Sequence, residues 1–139
     1  MKRRLNVLMV EDNLADVLLM REAIGMEGLP LDIQAATDGE MAIAVIEKSE
    51  KDPDAPALDA VVLDLNLPKI DGFEVLRRIR ASERYGNLPV IVVTSSDSIA
   101  DRSGSAQLGA SYFRKRPSYD EFLKVGSAIR RLLEENGLL

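Results

Sequence analysis

Four polar residues at the ends of three short apolar runs are the candidates for chemistry in this sequence: Glu11, Asp12, Asp64 and Thr94. Three carboxylates that lie close together repel one another unless a cation joins them. Carboxylate oxygens are the ligands that Mg²⁺ takes in proteins, together with water and phosphate oxygens. A carboxylate can also act as a nucleophile that accepts a phosphoryl group. If the four residues converge, they predict an acidic metal site with chemistry on one carboxylate.

Each of these residues, taken alone, also has an interpretation that needs no function. Glu11 and Asp12 could be the polar end of a strand and a helix cap, and alone that interpretation is favoured. For Thr94, an ordinary strand end is about as good an interpretation as a function. Asp64 is harder to explain structurally, because four apolar residues precede it and Leu65 follows it.

The apolar runs before the polar residues predict the elements that position them. Such β-branched runs are typical of strands buried on both faces of a parallel sheet, and here they are Leu5–Val10, Ala60–Leu63 and Val90–Val93. Parallel strands bring their carboxyl ends to one edge of the sheet, where open α/β sheets bind ligands. We therefore expect the four polar residues to meet in one cleft.

The rest of the chain alternates between strand-like and helix-like segments. Leu31–Ala36 and Ala110–Arg114 are mixed in polarity and are predicted to be edge strands. The predicted helices follow Asn13, begin at Asp38-Gly39 and at Phe73, and cover about Ile99–Leu108 and Ser118–Glu135, with surface loops at Ser49–Ala57 and Asn66–Gly72. Strict alternation predicts an α/β fold with a doubly wound, five-stranded parallel sheet in the order 2-1-3-4-5, a flavodoxin-like (βα)5 arrangement.

Composition narrows the classes of function. The 139 residues suit one domain with its own core. The absence of cysteine and histidine excludes disulfides, thiolate zinc sites, Ser-His-Asp catalysis and a phosphohistidine within the chain. A formal net charge of −5 argues against non-specific nucleic-acid binding, and the apolar stretch after the basic N-terminus is too short for a membrane span. We expect a cytoplasmic protein without nucleic-acid or membrane partners.

Four segments of the sequence resemble the signature segments of response-regulator receiver domains. They are VEDN at 10–13, VVLDLNLPKIDG at 61–72, VIVVTSS at 90–96 and GASYFRKRP at 109–117. Each motif alone is weak, but together they span essentially the whole chain in the family's order. The segments EDNLADV and DLNLP are similar to those of small receivers that serve phytochrome-type kinases. The resemblance implies a Mg²⁺-dependent aspartyl-phosphate switch, phosphorylated by a separate sensor histidine kinase or a phosphotransfer protein.

The resemblance also implies roles for the acidic residues and their neighbours. Asp64 is the phosphoacceptor and a ligand of the metal, and Asp12 binds the metal directly. Glu11 supports the metal through water, and the backbone carbonyl of Asn66 is a further ligand. The protein is then no enzyme in the usual sense, although it can promote its own phosphorylation and dephosphorylation.

The switch residues implied by the resemblance include one departure from the family. Thr94 would bond to the phosphoryl group and Phe113 would be the aromatic switch on the fifth strand. Receiver domains place a lysine just before the proline that follows this strand, but here Arg116 precedes Pro117. Counting from Thr94 favours Arg116 in that role, although arginine is not equivalent to lysine, and Lys115 is the alternative.

The C-terminal third of the sequence suggests where the switch acts. The fourth helix has few apolar anchors, and switching surfaces are drawn from regions of low local stability. We therefore expect a partner face formed by the fourth helix, the fifth strand and the last helix, whose apolar residues serve the core or, second, a homodimer. Because the last helix ends near Leu139, we expect a stand-alone receiver over residues 1–139 without an output domain.

Three other classes of protein are alternatives to this interpretation. A pseudo-receiver that binds proteins without phosphorylation is opposed by the retained acids and mildly favoured by Arg116. A haloacid-dehalogenase-like phosphatase needs a second acid two residues after its nucleophile, where this chain has Asn66. P-loop chemistry lacks support because Gly104–Gly109 is not followed by Lys and Ser or Thr.

Overall fold

The chain forms a five-stranded parallel sheet with helices on both faces, in a computed structural model that describes residues 3–139. The strands are β1 (Leu5–Val10), β2 (Leu31–Ala36), β3 (Ala60–Leu63), β4 (Val90–Thr94) and β5 (Ser111–Arg114). The helices are α1 (Leu14–Met26), α2 (Gly39–Lys51), α3 (Gly72–Ala81), α4 (Ile99–Gln107), α5 (Tyr119–Leu123) and α6 (Val125–Glu135). The strand order is β2-β1-β3-β4-β5, which confirms the predicted fold.

The sheet separates two apolar cores, as the strand patterns require. Every residue of β3 and β4 is buried, whereas only the two end residues of β2, Leu31 and Ala36, are buried because β2 is an edge strand. Met9 contributes to the core beneath α1 and α6, and Leu8 contributes to the core beneath α2 and α3. Ile129 and Leu133 of α6 are buried in the first core, so the apolar face of that helix packs inside the domain. None of the helices within residues 3–139 is long and apolar enough to cross a membrane.

Polar caps start the helices close to the ends of the strands. A side-chain oxygen accepts a hydrogen bond from the backbone N–H three residues ahead at Asn13, Asp38, Asp71, Ser98 and Ser118. These residues are the types that satisfy the free N–H groups of a first helical turn. The caps lie only a few residues beyond most of the strands. After β1, only the cap Asn13 separates the acids Glu11 and Asp12 from the start of α1.

Two predicted boundaries were wrong. The helix predicted over Ser118–Glu135 is two helices, because Lys124 interrupts it with a tight turn in which its N–H donates to the carbonyl of Glu121 at 3.2 Å. The loop predicted at Ser49–Ala57 begins later, because α2 continues to Lys51. Asp52 then leaves the helical conformation, as expected of a residue that precedes a proline.

Gly72 allows α3 to start against the strand that carries Asp64. A Cβ at this position would overlap the backbone carbonyl oxygen of Asp64 and lie 2.5 Å from the Cα of Leu65. The N–H of Gly72 donates to the carbonyl of Leu65 at 2.9 Å. A side chain at Gly72 would therefore push α3 away from the backbone of the candidate nucleophile.

We expect Gly72→Ala to lower the free energy of unfolding by about 2 to 3 kcal/mol, because the added methyl group meets fixed backbone. The matched control is Gly25→Ala, where a Cβ meets nothing within 4 Å. That substitution lies in α1 and should be neutral or stabilising by up to about 1 kcal/mol. Urea unfolding measures both, and equal stability of the two variants would contradict the packing described for Gly72.

Candidate functional site

The register of the sheet brings the first acids and Asp64 side by side. Val10 pairs with Leu63 across β1 and β3, so Glu11 and Asp64 are the next residues on neighbouring strands. The N–H of Asp64 donates to the carbonyl of Val10 at 3.0 Å. Glu11, Asp12 and Asp64 each offer a carboxylate oxygen, and these oxygens lie within 4.8 Å of one another.

The acids differ in their exposure and therefore in their electrostatics. Glu11 is 1% exposed and Asp64 is 6% exposed, whereas Asp12 is open to solvent. Burial raises the pKa of Glu11 to about 7, and the charge of Asp64 adds to this rise, although Lys115 acts in the opposite direction. Negative charge on the two buried acids is therefore costly without a cation beside them.

Lys115 supplies that cation from the end of β5. Its ammonium contacts Oε1 of Glu11, and it lies 2.9 Å from Oδ2 of Asp16 and 3.2 Å from Oδ2 of Asp64. Burial lowers the pKa of the Lys115 ammonium, but the three carboxylates outweigh burial and raise it above its ordinary value. Lys115 therefore stays charged and offsets part of the negative charge of the site.

The preference for Arg116 in the lysine position is corrected by this geometry. Thr94 pairs with Arg114 across β4 and β5, and the N–H of Lys115 donates to the carbonyl of Thr94 at 2.7 Å. Lys115 thus leaves the sheet directly beside the acids, whereas Arg116 is one residue further along and exposed. The residue count from Thr94 that favoured Arg116 was wrong by one position. Along an extended chain, neighbouring side chains lie on opposite sides, so an error of one residue selects a side chain on the wrong side.

The same shift corrects the position of the aromatic residue on β5. Phe113 packs against the core beneath α1 and α6. Tyr112 lies on the opposite face, where its hydroxyl donates to the carbonyl of Ser96 at 2.7 Å and Arg102 of α4 lies 4.6 Å from the centre of its ring. Tyr112, and not Phe113, is the aromatic side chain of β5 that contacts α4 and the loop before it.

Thr94 and Asn66 complete the edge next to Asp64. Thr94 is fully buried, and its Oγ1 accepts hydrogen bonds from the N–H of Ser96 at 3.3 Å and from Nδ2 of Asn66 at 3.5 Å. The N–H of Asn66 donates to Oδ1 of Asp64 at 3.2 Å. Asn66 therefore connects the hydroxyl to the carboxylate, while the role of its backbone carbonyl as a metal ligand stays a prediction.

Sequence reasoning missed Asp16 as a member of this site. The sequence pattern marks Asp16 only as an acid in the first turn of α1, where it complements the helix dipole. It follows Asp12 by four residues, and a helix that begins between them can turn the later side chain back toward the strand ends. The four-residue spacing between Asp12 and Asp16 was the signal available in the sequence, but it does not identify Lys115 as the partner of Asp16.

The donor set fits a hard divalent cation. Three carboxylates offer oxygen atoms at one point, and the chain holds no cysteine or histidine that would favour a softer metal. The exposure of Asp12 leaves one side of the cluster accessible to water and to phosphate oxygens. A single ammonium does not balance the three acids of the cluster together with Asp16, so a divalent cation is electrostatically favourable there.

Comparison with known proteins identifies the family. The family model described as the response regulator receiver domain matches residues 7–125. The chain belongs to this family. The receiver domain is 31% identical over 124 residues to Response regulator Rcp1 of Synechocystis, with 88% of this chain and 84% of that protein covered. It is 36% identical over 113 residues to the transcriptional regulatory protein TrcR of Mycobacterium tuberculosis, covering 81% of this chain but only 40% of that relative.

Two solved structures of similar sequence share this fold. The phosphorylated cyanobacterial phytochrome response regulator RcpA matches with a TM-score of 0.83 at 30% identity, covering 93% of each chain. The Mn²⁺-bound form of response regulator Rcp1 matches with a TM-score of 0.81 at 30% identity, covering 90% of this chain and 91% of that one. The chain therefore has the fold of two-component response regulators and belongs to their family.

We expect Lys115→Ala to lower the free energy of unfolding at pH 8 without divalent cations by about 3 kcal/mol, because it leaves buried carboxylates without their cation. The loss should be smaller at pH 5, which lies below the raised pKa of Glu11, because protonation of Glu11 removes one of the buried charges. Arg116→Ala is the matched control and should change stability by no more than about 0.5 kcal/mol, because Arg116 is exposed. Urea unfolding of both variants measures the difference, and equal losses would contradict the position assigned to Lys115.

Proposed function

We propose that this receiver domain is a signalling switch that accepts a phosphoryl group on Asp64 from a phosphohistidine of a separate kinase or phosphotransfer protein. The observation that carries the proposal is the environment of the Asp64 carboxylate. Oδ2 lies 3.2 Å from the Lys115 ammonium and Oδ1 accepts from the N–H of Asn66, while Glu11 and Asp12 stand beside it. A carboxylate so placed is a nucleophile beside a cation and a hydroxyl that can pair with phosphoryl oxygens.

The transfer is a displacement at phosphorus. An oxygen of Asp64 forms a bond to the phosphorus atom, and the bond from phosphorus to the donor's imidazole nitrogen breaks. The electron pair of that bond stays on the nitrogen. The imidazole leaves in its neutral form, because its other ring nitrogen either carries a proton already or takes one up from solvent. Because this chain has no histidine, the donor must be another molecule.

Several residues of the chain have defined parts in this proposal. Lys115 and the hydroxyl of Thr94 pair with phosphoryl oxygens. The Thr94 oxygen accepts bonds from Ser96 and Asn66, so its O–H can donate to a phosphoryl oxygen without breaking them. Glu11, Asp12, Asp64 and the backbone carbonyl of Asn66 are the proposed groups that hold Mg²⁺. The metal, when bound, neutralises charge that develops on the phosphoryl oxygens. The similar structures of Mn²⁺-bound Rcp1 and of phosphorylated RcpA support both parts.

The output is proposed to run through α4, β5 and the last helices to a protein partner. Within α4 only Ser105 is buried, so little apolar packing holds this helix. Tyr112 connects β5 to the loop between β4 and α4 through its bond to Ser96, and Thr94 accepts a bond from the same Ser96. A change at Thr94 therefore reaches Tyr112 through one shared residue.

The presence of Lys115 in the site weakens the pseudo-receiver alternative. That alternative was favoured only by an arginine in place of the family's lysine. Since the ammonium of Lys115 lies against Glu11 and Asp64, the site has the cation that phosphorylation needs.

We expect incubation with Mg²⁺ and acetyl phosphate to add one phosphoryl group to the wild-type protein and none to Asp64→Asn, because only the carboxylate is nucleophilic. Intact-mass measurement at acidic pH, followed by loss of the adduct in base, gives the result. An adduct of equal yield on both proteins, or none on either, would contradict Asp64 as the acceptor, and rapid hydrolysis of unrelated phosphomonoesters would indicate a phosphatase.

We expect Asp12→Asn to weaken Mg²⁺ binding by about tenfold or more, because it removes one of three charged oxygen ligands. Isothermal titration calorimetry measures the affinity. Asp54→Asn, in the loop that follows α2, is a charge-matched control outside the site and should bind Mg²⁺ as the wild type does. Equal affinities for all three proteins would contradict the assigned metal site.

A further inference from the structure

The ammonium of Lys115 has no donor to spare in this structure. An ammonium carries three N–H donors, and here three carboxylates surround it, from Glu11, Asp16 and Asp64. The Lys115 side chain is 10% exposed, so water is a poor substitute partner. Any phosphoryl oxygen that pairs with Lys115 must therefore displace one of these carboxylates.

Asp16 differs from the other two partners of Lys115 in its origin. It comes from the first turn of α1, not from a strand end, and it lies outside the cluster of acids that could hold a metal. Its backbone N–H donates to Oδ1 of Asn13 at 3.1 Å, which fixes this turn of the helix. Its carboxylate is 22% exposed in the structure and lies 2.9 Å from the ammonium.

We propose that Asp16 is a positioning residue that holds the Lys115 ammonium on the α1 side of the site and limits its pairing with an incoming phosphoryl group. The part of this proposal that concerns phosphoryl transfer rests on the proposed function of Asp64. The part that concerns the position of Lys115 stands on the geometry alone.

The competition follows from which carboxylates remain available to Lys115. Glu11 and Asp64 belong to the proposed metal site, so a divalent cation shares their charge. Asp16 keeps its full charge for the ammonium. Removal of that charge should therefore strengthen donor binding and leave the chemical step on Asp64 little changed.

The first experiment needs no phosphorylation. The proteins are treated with an amine-reactive ester, and the labelling rate of Lys115 is read by peptide mass spectrometry. We expect Asp16→Asn to raise this rate at least about twofold, because one of three partners of the ammonium is lost. Asp120→Asn is the matched control, since it makes the same change in the exposed first turn of α5 and should leave the rate as in wild type.

The second experiment follows phosphorylation by acetyl phosphate with Mg²⁺ by intact mass. We expect Asp16→Asn to lower the half-saturating donor concentration about fivefold, the effect of one partly screened ion pair, with the maximal rate changed less than about twofold. In a Lys115→Ala background, Asp16→Asn should shift the half-saturating concentration by less than about twofold, because Asp16 acts through Lys115.

The outcomes separate this proposal from the proposed function. Unchanged labelling of Lys115 in Asp16→Asn overturns the positioning role, whatever the phosphorylation data show. Failure of the wild type to take up a phosphoryl group overturns the proposed function, while increased labelling would still support the position of Lys115. A shift of the half-saturating concentration that persists without Lys115 overturns the action through that residue.

Discussion

The contact of the Lys115 ammonium with the acids at the ends of β1 and β3 is the interaction on which the site depends. Glu11 and Asp64 are almost completely buried, and backbone pairing of their strands keeps them adjacent. They cannot separate without breaking the sheet, and they cannot both be charged in a buried place without a cation. A lysine at the end of β5 supplies that cation from the chain itself, and it leaves room for a divalent cation on the exposed side near Asp12.

The parallel sheet gathers the residues of the site at one of its edges. Its carboxyl edge carries the acids, the Thr94 hydroxyl and Lys115, and the helix caps keep α1 and α3 close to that edge. Gly72 lets α3 start against the backbone of Asp64. On the far side of Thr94, Ser96 connects the site to Tyr112 and through it to α4, a helix in which no apolar residue is buried. The arrangement places a stable acidic edge next to a weakly packed surface.

The sequence was sufficient to predict the sheet order and the meeting of Glu11, Asp12 and Asp64, because apolar strands mark both their burial and their ends. It was not sufficient to choose between Lys115 and Arg116. That choice depends on the register of β5 against β4. The register depends on the length of the connection from β4 through α4 to β5, which no periodic pattern in the sequence defines. The same one-residue uncertainty exchanged Tyr112 for Phe113. Asp16 was missed because its partner lies 99 residues away in the chain, a contact that only the folded sheet and α1 create.

The most direct measurement is the location of the phosphoryl group by chemical trapping. After phosphorylation with Mg²⁺ and acetyl phosphate, borohydride reduces an aspartyl phosphate to homoserine, and peptide mass spectrometry finds the changed residue. We expect homoserine at position 64 and at no other aspartate, with the signal lost when Mg²⁺ is removed. Homoserine at Asp12 or Asp16, or an unmodified Asp64 in protein that carries a phosphoryl group, would contradict this expectation.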